Sequence, residues 1–485
     1  MDPLAPTLAD ELPVRGRRAL RHRTRWYGRP AAVVFLVTAL AAGLRFTQLG
    51  KPPTLYFDEV YYAKDACLLA RYDYRDCGLR TPAEQTAGVH PPLGRWIIAG
   101  GEALFGNDPF GWRFASAVAG TLSVLLTSLL ALRLFGSALW AGVAGLLLAT
   151  EHLNFVQSRI SMPDIVLALF VVAGFLFLTL DREWIERRTP EPEAPEEPPP
   201  FALPPDRPPS PLLRPWRLAA GVALGAATAV KWSGGPALAG ALLLALGWEW
   251  SRRRRLGLPS PLWEAVRAEA FGLFLSFVVV PLAVYLGSYG AWLADHGFSL
   301  RAWWELQGRM ASFSIHLRAP HPYQSRPWTW LLLKRPVAYF YQCRPEGAPD
   351  CRSAEIIGIG NPVVFWGSLL ALPFTAVAWA RRRDWRAGVP LTGFAAQYFP
   401  WYLAARTQFL FYMTPVTPFL VLADTYAVRA LAEGRWRARG RPMRVLATAA
   451  VVLSVLSFVF FYPVLTAWPL PRIDWKARIW FPSWI

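Results

Sequence analysis

Charge is what this chain has least of. Only 17% of its 485 residues are Asp, Glu, Lys or Arg, against roughly 25% in a typical soluble protein. The surface of a soluble domain is hard to build from so few. Lysine is almost absent, confined to Lys51, Lys64, Lys231, Lys334 and Lys476. The six histidines form no ligand-spaced cluster, so no metal site is expected. There is no glycine-rich nucleotide loop and no tandem repeat. What is abundant is apolar: 54% of residues are hydrophobic and 24 are Trp. That composition excludes a disordered chain, and one soluble core could not hide it. A polytopic membrane protein is the class that remains.

Spans of about 17–25 apolar residues are the next signal. Eleven runs qualify, near 31–49, 112–134, 138–153, 162–180, 217–232, 234–250, 270–290, 361–380, 387–404, 407–428 and 445–467. The net charge of +18 then has a reading as topology. Arginines cluster at Arg15 to Arg29, Arg252 to Arg255, Arg381 to Arg383 and Arg435 to Arg441. With eleven spans all four clusters fall on one side, the cytoplasmic one, and no nucleic-acid partner is needed. The first span is expected to be an uncleaved anchor.

The expected organisation is a cytoplasmic Arg-rich segment (1–30), a catalytic transmembrane part (31–181) with an outer loop at 50–111, and a Pro-rich acidic cytoplasmic linker (182–216). A second transmembrane part (217–467) follows with an outer loop at 291–360, then an extracytoplasmic tail (468–485). Cys67, Cys77, Cys343 and Cys351 all lie in the two outer loops. An oxidising exterior favours pairing. Three connectivities are possible; Cys67–Cys77 and Cys343–Cys351 close short loops and are the expected ones, with free thiols the alternative.

The candidate chemistry gathers at the outer face. Asp58 and Glu59 are adjacent carboxylates just past a span, among Tyr56, Phe57, Tyr61 and Tyr62. Partial desolvation there would raise a carboxylate towards a usable base; the plainer alternative is a solvated pair starting a surface helix. His90-Pro91-Pro92 precedes a stretch in which Leu93, Ile97 and Leu104 are expected to share a membrane-facing side of a helix. Arg113, Arg159, Lys231 and Arg406 put four cations at the same membrane edge, with Asp164 nearby. Each alone could be a snorkelling cation or a structural ion pair. Together they suit a phosphorylated lipid head group facing a base.

Five motifs in order resemble the protein O-mannosyltransferases, especially their bacterial, actinobacterial-type members. They are Phe57-Asp58-Glu59-Val60; His90 to Gly94 with Gly101-Glu102; Gln157 to Asp164; Val230-Lys231-Trp232-Ser233-Gly234; and His321-Pro322-Tyr323-Gln324-Ser325 with Pro327-Trp328. The resemblance runs from Leu49 to about Trp468. It implies an all-α GT-C glycosyltransferase fold with about 11 transmembrane helices and amphipathic outer-loop helices. It also implies a plasma-membrane, multi-pass enzyme with its active site outside. Mannose would pass with inversion from polyprenyl-phosphate-mannose to Ser or Thr of secreted polypeptides, without metal or other cofactor, beside the translocation machinery. Asp58 would be the base. Arg113 first, then Lys231 and Arg159, would stabilise the leaving phosphate, with Glu59 and His90 orienting the acceptor or Asp58. Arg406, Asp164, His321 and Tyr323 would complete the substrate site. Two departures stand out. The 291–360 loop is too short for the β-trefoil insert of eukaryotic members, and Pro163 replaces the usual aliphatic residue before Asp164.

A GT-C transferase acting on an envelope glycolipid or polysaccharide would share the lipid-phosphate site. A flippase predicts inverted repeats and mid-membrane breaks, neither of which the sequence carries. A scaffold would leave the acidic pair and the cations unexplained.

Overall fold

In a computed structural model the described residues are 28–81, 89–188, 212, 214–258, 261–346, 348, 350–434 and 441–485. The first arginine cluster up to Arg25, most of the Pro-rich linker and Arg435 to Arg439 lie outside them. Helices dominate, and local chemistry sets many of their starts. The order begins α1 (Gly28–Phe46), α2 (Glu59–Leu69), α3 (Leu93–Phe105) and α4 (Pro109–Phe135), then α5 (Ala138–Ala149), α6 (His152–Gln157), α7 (Asp164–Glu186), α8 (Pro215–Val230) and α9 (Gly235–Arg255). Next, α10 (Pro261–Phe274) passes through one π-helical stretch, Leu275–Val279, into α11 (Val280–Ser288). Outer-loop helices α12 (Gly290–Asp295), α13 (Leu300–His316) and α14 (Pro327–Trp330) lead to strands β1 (Val337–Arg344) and β2 (Arg352–Gly358). The chain ends with α15 (Pro362–Arg382), α16 (Trp385–Tyr398), α17 (Thr417–Ala432), α18 (Arg441–Leu465), β3 (Leu470–Pro471) and α19 (Arg472–Lys476). Asp108 caps α4 by accepting from the Phe110 and Gly111 amides, and Glu151 caps α6 through Leu153 and Asn154. Asn361 and Asp384 cap α15 and α16 in the same way.

Each of the eleven apolar runs holds a helix. Among the described residues, five helices are long and apolar enough to cross a membrane: Pro109–Phe135, Asp164–Glu186, Leu262–Ser288, Pro362–Arg382 and Arg441–Leu465. Two boundaries differ from expectation. The run at 407–428 becomes α-helical only at Thr417, after a 3₁₀ segment Leu410–Val416 that contains Pro415; a proline there removes an amide donor. The run at 138–153 stops at Ala149, where the Glu151 cap starts a new short helix.

The all-α class holds, with one small sheet added in the outer loop. β1 and β2 pair antiparallel and β3, from the tail, adds to β2. Val337-Ala338-Tyr339-Phe340-Tyr341 is rich in β-branched and aromatic residues, and the Cys343–Cys351 disulfide spans the hairpin end. A second disulfide joins Cys67 to Cys77 behind α2. The tail is tied down. Trp475 Nε1 donates to buried Glu355 at 2.6 Å, and Trp484 Nε1 to the Leu333 carbonyl at 2.7 Å.

Helix α3 lies against α4 and the ends of α7 and α8, through glycines. A Cβ on Gly94 would sit 3.0 Å from Pro163 Cβ, and one on Gly101 only 2.6 Å from the Gly111 carbonyl oxygen. The buried side is therefore Gly94, Ile98, Ala99, Gly101 and Glu102, while Leu104 is exposed. Of the stripe expected to face the membrane, Leu104 is exposed and Leu93 and Ile97 are half-buried against the core.

Candidate active site

Asp58 and Glu59 are sequence neighbours with opposite fates. Phe57 takes a left-handed backbone, φ +52°, a conformation that costs a non-glycine residue on the order of 1 kcal/mol or more. The turn makes Asp58 the first flank of α2, yet its carboxylate caps nothing. Glu59, one position on, is fully buried.

The Glu59 carboxylate meets Arg113 from α4 in a two-pronged pair, Nε to Oε1 at 2.8 Å and Nη2 to Oε2 at 2.9 Å. It also accepts from the Ser161 amide at 2.9 Å and the Tyr56 amide at 3.3 Å. The other Arg113 donors go to the carbonyls of Leu49, Pro52 and Thr54. A guanidinium has five N–H groups, and all five are engaged. Arg113 therefore has nothing left for a phosphate, and Glu59 nothing for an acceptor. Arg159 is similar. Its guanidinium donates to the carbonyls of Leu44, Arg45, Thr47 and Gln48, around the C-terminal end of α1. These three residues build the floor beneath Asp58, with their polar groups directed to the protein itself.

The remaining candidates face one another. Lys231, in extended conformation just past α8, puts Nζ 3.0 Å from Asp164 Oδ1 at the start of α7. The same Nζ lies 4.7 Å from the Tyr412 ring centre and 5.9 Å from that of Phe411. Arg406 approaches Tyr412 from its loop, Cζ 6.0 Å from the ring centre. His90 stacks on Tyr62 with planes 6° apart, and Arg95 ties the His90 carbonyl to Asp65. His321 stands edge-on to Phe57 and Phe409 and accepts from the Tyr323 amide through Nδ1. Tyr323 is one step further out, under Arg335.

Electrostatics follow from this crowding. Desolvation pushes the Asp58 carboxyl up to about 6; Asp164 adds to the rise, while Lys231 and Arg406 oppose it. The His90 ring is held well below its ordinary value by burial first, then by Lys231, Arg406 and Arg95. It is a neutral imidazole at pH 7. Around the same cleft, Asp164 Oδ2, Ser161 Oγ, Gln157 Oε1, Arg95 Nε and Arg406 Nε are buried without a hydrogen-bond partner. Orphaned polar atoms are costly in a finished interior. They gather beside Asp58 and Lys231. Tyr62, Arg95 and Tyr412 are members that the sequence reading passed over. Arg95 directly follows the His90–Gly94 motif and could have been found there; Tyr412 is one aromatic in an apolar run and gave no signal.

A base-like carboxyl facing buried cations at one end of a polytopic helical bundle fits the GT-C class of membrane glycosyltransferases. The fold agrees. The yeast protein O-mannosyltransferase Pmt1-Pmt2 complex bound to the sugar donor superposes with TM-score 0.77 over 98% of this chain and 94% of that one, at 15% identity. ArnT from Cupriavidus metallidurans gives 0.54 over 93% of this chain and 72% of that one, at 19% identity. Residues 89–186 match the model for dolichyl-phosphate-mannose-protein mannosyltransferase, and 299–484 that for the C-terminal four-transmembrane region of protein-O-mannosyltransferase. The polyprenol-phosphate-mannose–protein mannosyltransferases of Mycolicibacterium smegmatis and Mycobacterium tuberculosis are both 32% identical over 93% of this chain, covering 92% and 91% of theirs. The Corynebacterium glutamicum protein of that name is 28% identical over 93% of this chain and 92% of its own. This chain belongs to the protein O-mannosyltransferase family.

Proposed function

We propose that this membrane protein moves mannose from polyprenyl-phosphate-mannose to Ser or Thr hydroxyls of secreted polypeptides. It does so at the outer face of the plasma membrane, beside the translocation machinery. The observation that carries this reading is the Asp58 carboxyl, raised to about 6, at a cleft lined by Lys231, Arg406 and unpartnered buried polar atoms. Asp58 takes the hydroxyl proton. The acceptor oxygen bonds to the sugar C1 as the C1–O bond to phosphate breaks, inverting that carbon. The bonding pair leaves on the lipid phosphate, which gains a negative charge. Lys231 and Arg406 stabilise it from positions already held by Tyr412 and Asp164. Neutral His90 orients the acceptor as a hydrogen-bond partner, and His321 closes the side at Phe57. A leaving group of this kind needs no acid and, with cations in place, no metal.

The test is transfer of radiolabelled mannose from polyprenyl-phosphate-mannose to a Thr/Pro-rich peptide by membranes holding the full chain, with a chelator in a parallel arm. Peptide label is expected from the wild type with or without chelator, and not from Asp58→Asn at normal protein level. Label confined to glycolipid would transfer the assignment to an envelope acceptor.

A further inference from the structure

Helix α7 has Asp164 at one end and Arg182 near the other, about 27 Å apart at the α-helical rise. The far end opens a small pocket, of about 30 Å³, among α7, α8 and α9. Five arginines line it, Arg182, Arg214, Arg217, Arg252 and Arg255, against the three carboxylates Asp181, Glu186 and Glu249. Behind them Glu269 takes Arg214 and Arg217, and Arg253 sits on Glu249, so among the described residues the surplus is positive.

Most of these groups are paired. Arg214 bonds Asp181 through both Nε and Nη2, and Arg252 bonds Glu249 twice. Arg182 is different. Its side chain is only 5% exposed. Its guanidinium lies between two indoles, Cζ 4.3 Å from the Trp385 ring centre and 5.2 Å from that of Trp248. Nη2 meets Glu186, but the buried Nε has no partner. A pre-oriented, desolvated arginine with a free donor, inside a pocket of surplus positive charge, has the chemistry of a phosphate receptor. The pocket sits where spans end on the arginine-rich side, at head-group level. Basic pockets between helices there suit anionic lipid head groups.

We infer that this pocket binds the phosphodiester head group of an anionic membrane phospholipid, in the leaflet opposite the mannosyl-transfer site. Arg182 supplies the buried donor and Arg255, more than half exposed, the rim contact. The ligand's charge also offsets the surplus that the ion pairs leave.

The full chain, purified in mild detergent, is tested by native mass spectrometry and thermal unfolding with phosphatidylglycerol, phosphatidylcholine or inorganic phosphate as probes. Phosphatidylglycerol is expected to stay bound and raise the unfolding temperature, with phosphatidylcholine and phosphate giving neither. Arg182→Gln should lower phosphatidylglycerol occupancy about tenfold, as loss of one charge-assisted contact implies. Arg255→Gln, on the exposed rim, should lower it by a smaller factor and serves if Arg182→Gln does not fold. Occupancy equal for the two lipids, or unchanged in both variants, overturns the inference. An equal shift from inorganic phosphate overturns the lipid source.

Discussion

Replacing Arg113 separates a structural cation from a substrate-binding one. Arg113→Met deletes two contacts to Glu59 and three to backbone carbonyls, all in the interior. Removing one partner of a buried ion pair costs about 3–5 kcal/mol, because the other charge stays uncompensated. Glu59 keeps two amide donors, from Tyr56 and Ser161, which favours the lower part of that range. The three orphaned carbonyls act the other way. Replacing both ends with apolar groups is often close to neutral, so Glu59→Leu with Arg113→Met should recover part of the loss. The assay is a four-corner cycle of apparent unfolding temperature in one detergent. Donor KM is measured on whatever folds. A positive coupling between the two positions is expected. If Arg113→Met keeps wild-type stability while donor KM rises by orders of magnitude, the assignment of Arg113 to the scaffold is wrong.

Three other outcomes follow from the same geometry. The base must be ionised to accept a proton, so kcat/KM should fall as pH drops through about 6, the Asp58 value; a pH profile flat down to 5 would exclude Asp58. Lys231→Met should lower kcat about a hundredfold or more on the enzyme that folds, as loss of one preorganised charge at the leaving group does; it also strands the buried Asp164 carboxylate, so the unfolding temperature should fall as well. Burial holds the Glu355 carboxyl at about 7 against an ordinary 4.5. Its folded form therefore prefers the proton. The stability it contributes declines as pH rises from about 4.5 and is gone above about 7, so amide exchange in the hairpin and tail should quicken over that window and level off above it. Trp475→Phe removes the donor that favours the ionised carboxylate, so this dependence should grow and extend to higher pH.

The spans were legible because a helix that meets lipid must be apolar along its length, and composition records that directly. The Asp58, His90, Lys231 and His321 motifs were legible for a related reason: polar residues beside apolar runs stand out. The division of labour between them was not. Arg113 and Lys231 look alike in a sequence, each a cation at a span end. What separates them is which carbonyls lie within 3 Å, and that depends on how α1 ends and where the 49–54 segment runs. The β-hairpin escaped for a different cause. Its strands lie in a long loop, and their pairing with the tail is a contact across more than 100 residues. The docking side of α3 was not legible, because periodicity registers large apolar residues, while the contact is made by glycines that let two backbones approach.

The neighbouring carboxylates have one more consequence, in the cell. Glu59 and Arg113 answer to protein quality control, whereas Asp58 answers to substrate. Marginal loss of stability changes abundance several-fold through proteolysis. Inactive alleles of this enzyme should thus fall into two kinds that activity alone cannot tell apart. Lesions at 59, 113 or 159 leave little protein in the membrane and are relieved by growth at lower temperature. Lesions at 58 leave a full complement of inert enzyme, which still occupies donor lipid and so interferes with a wild-type copy expressed beside it.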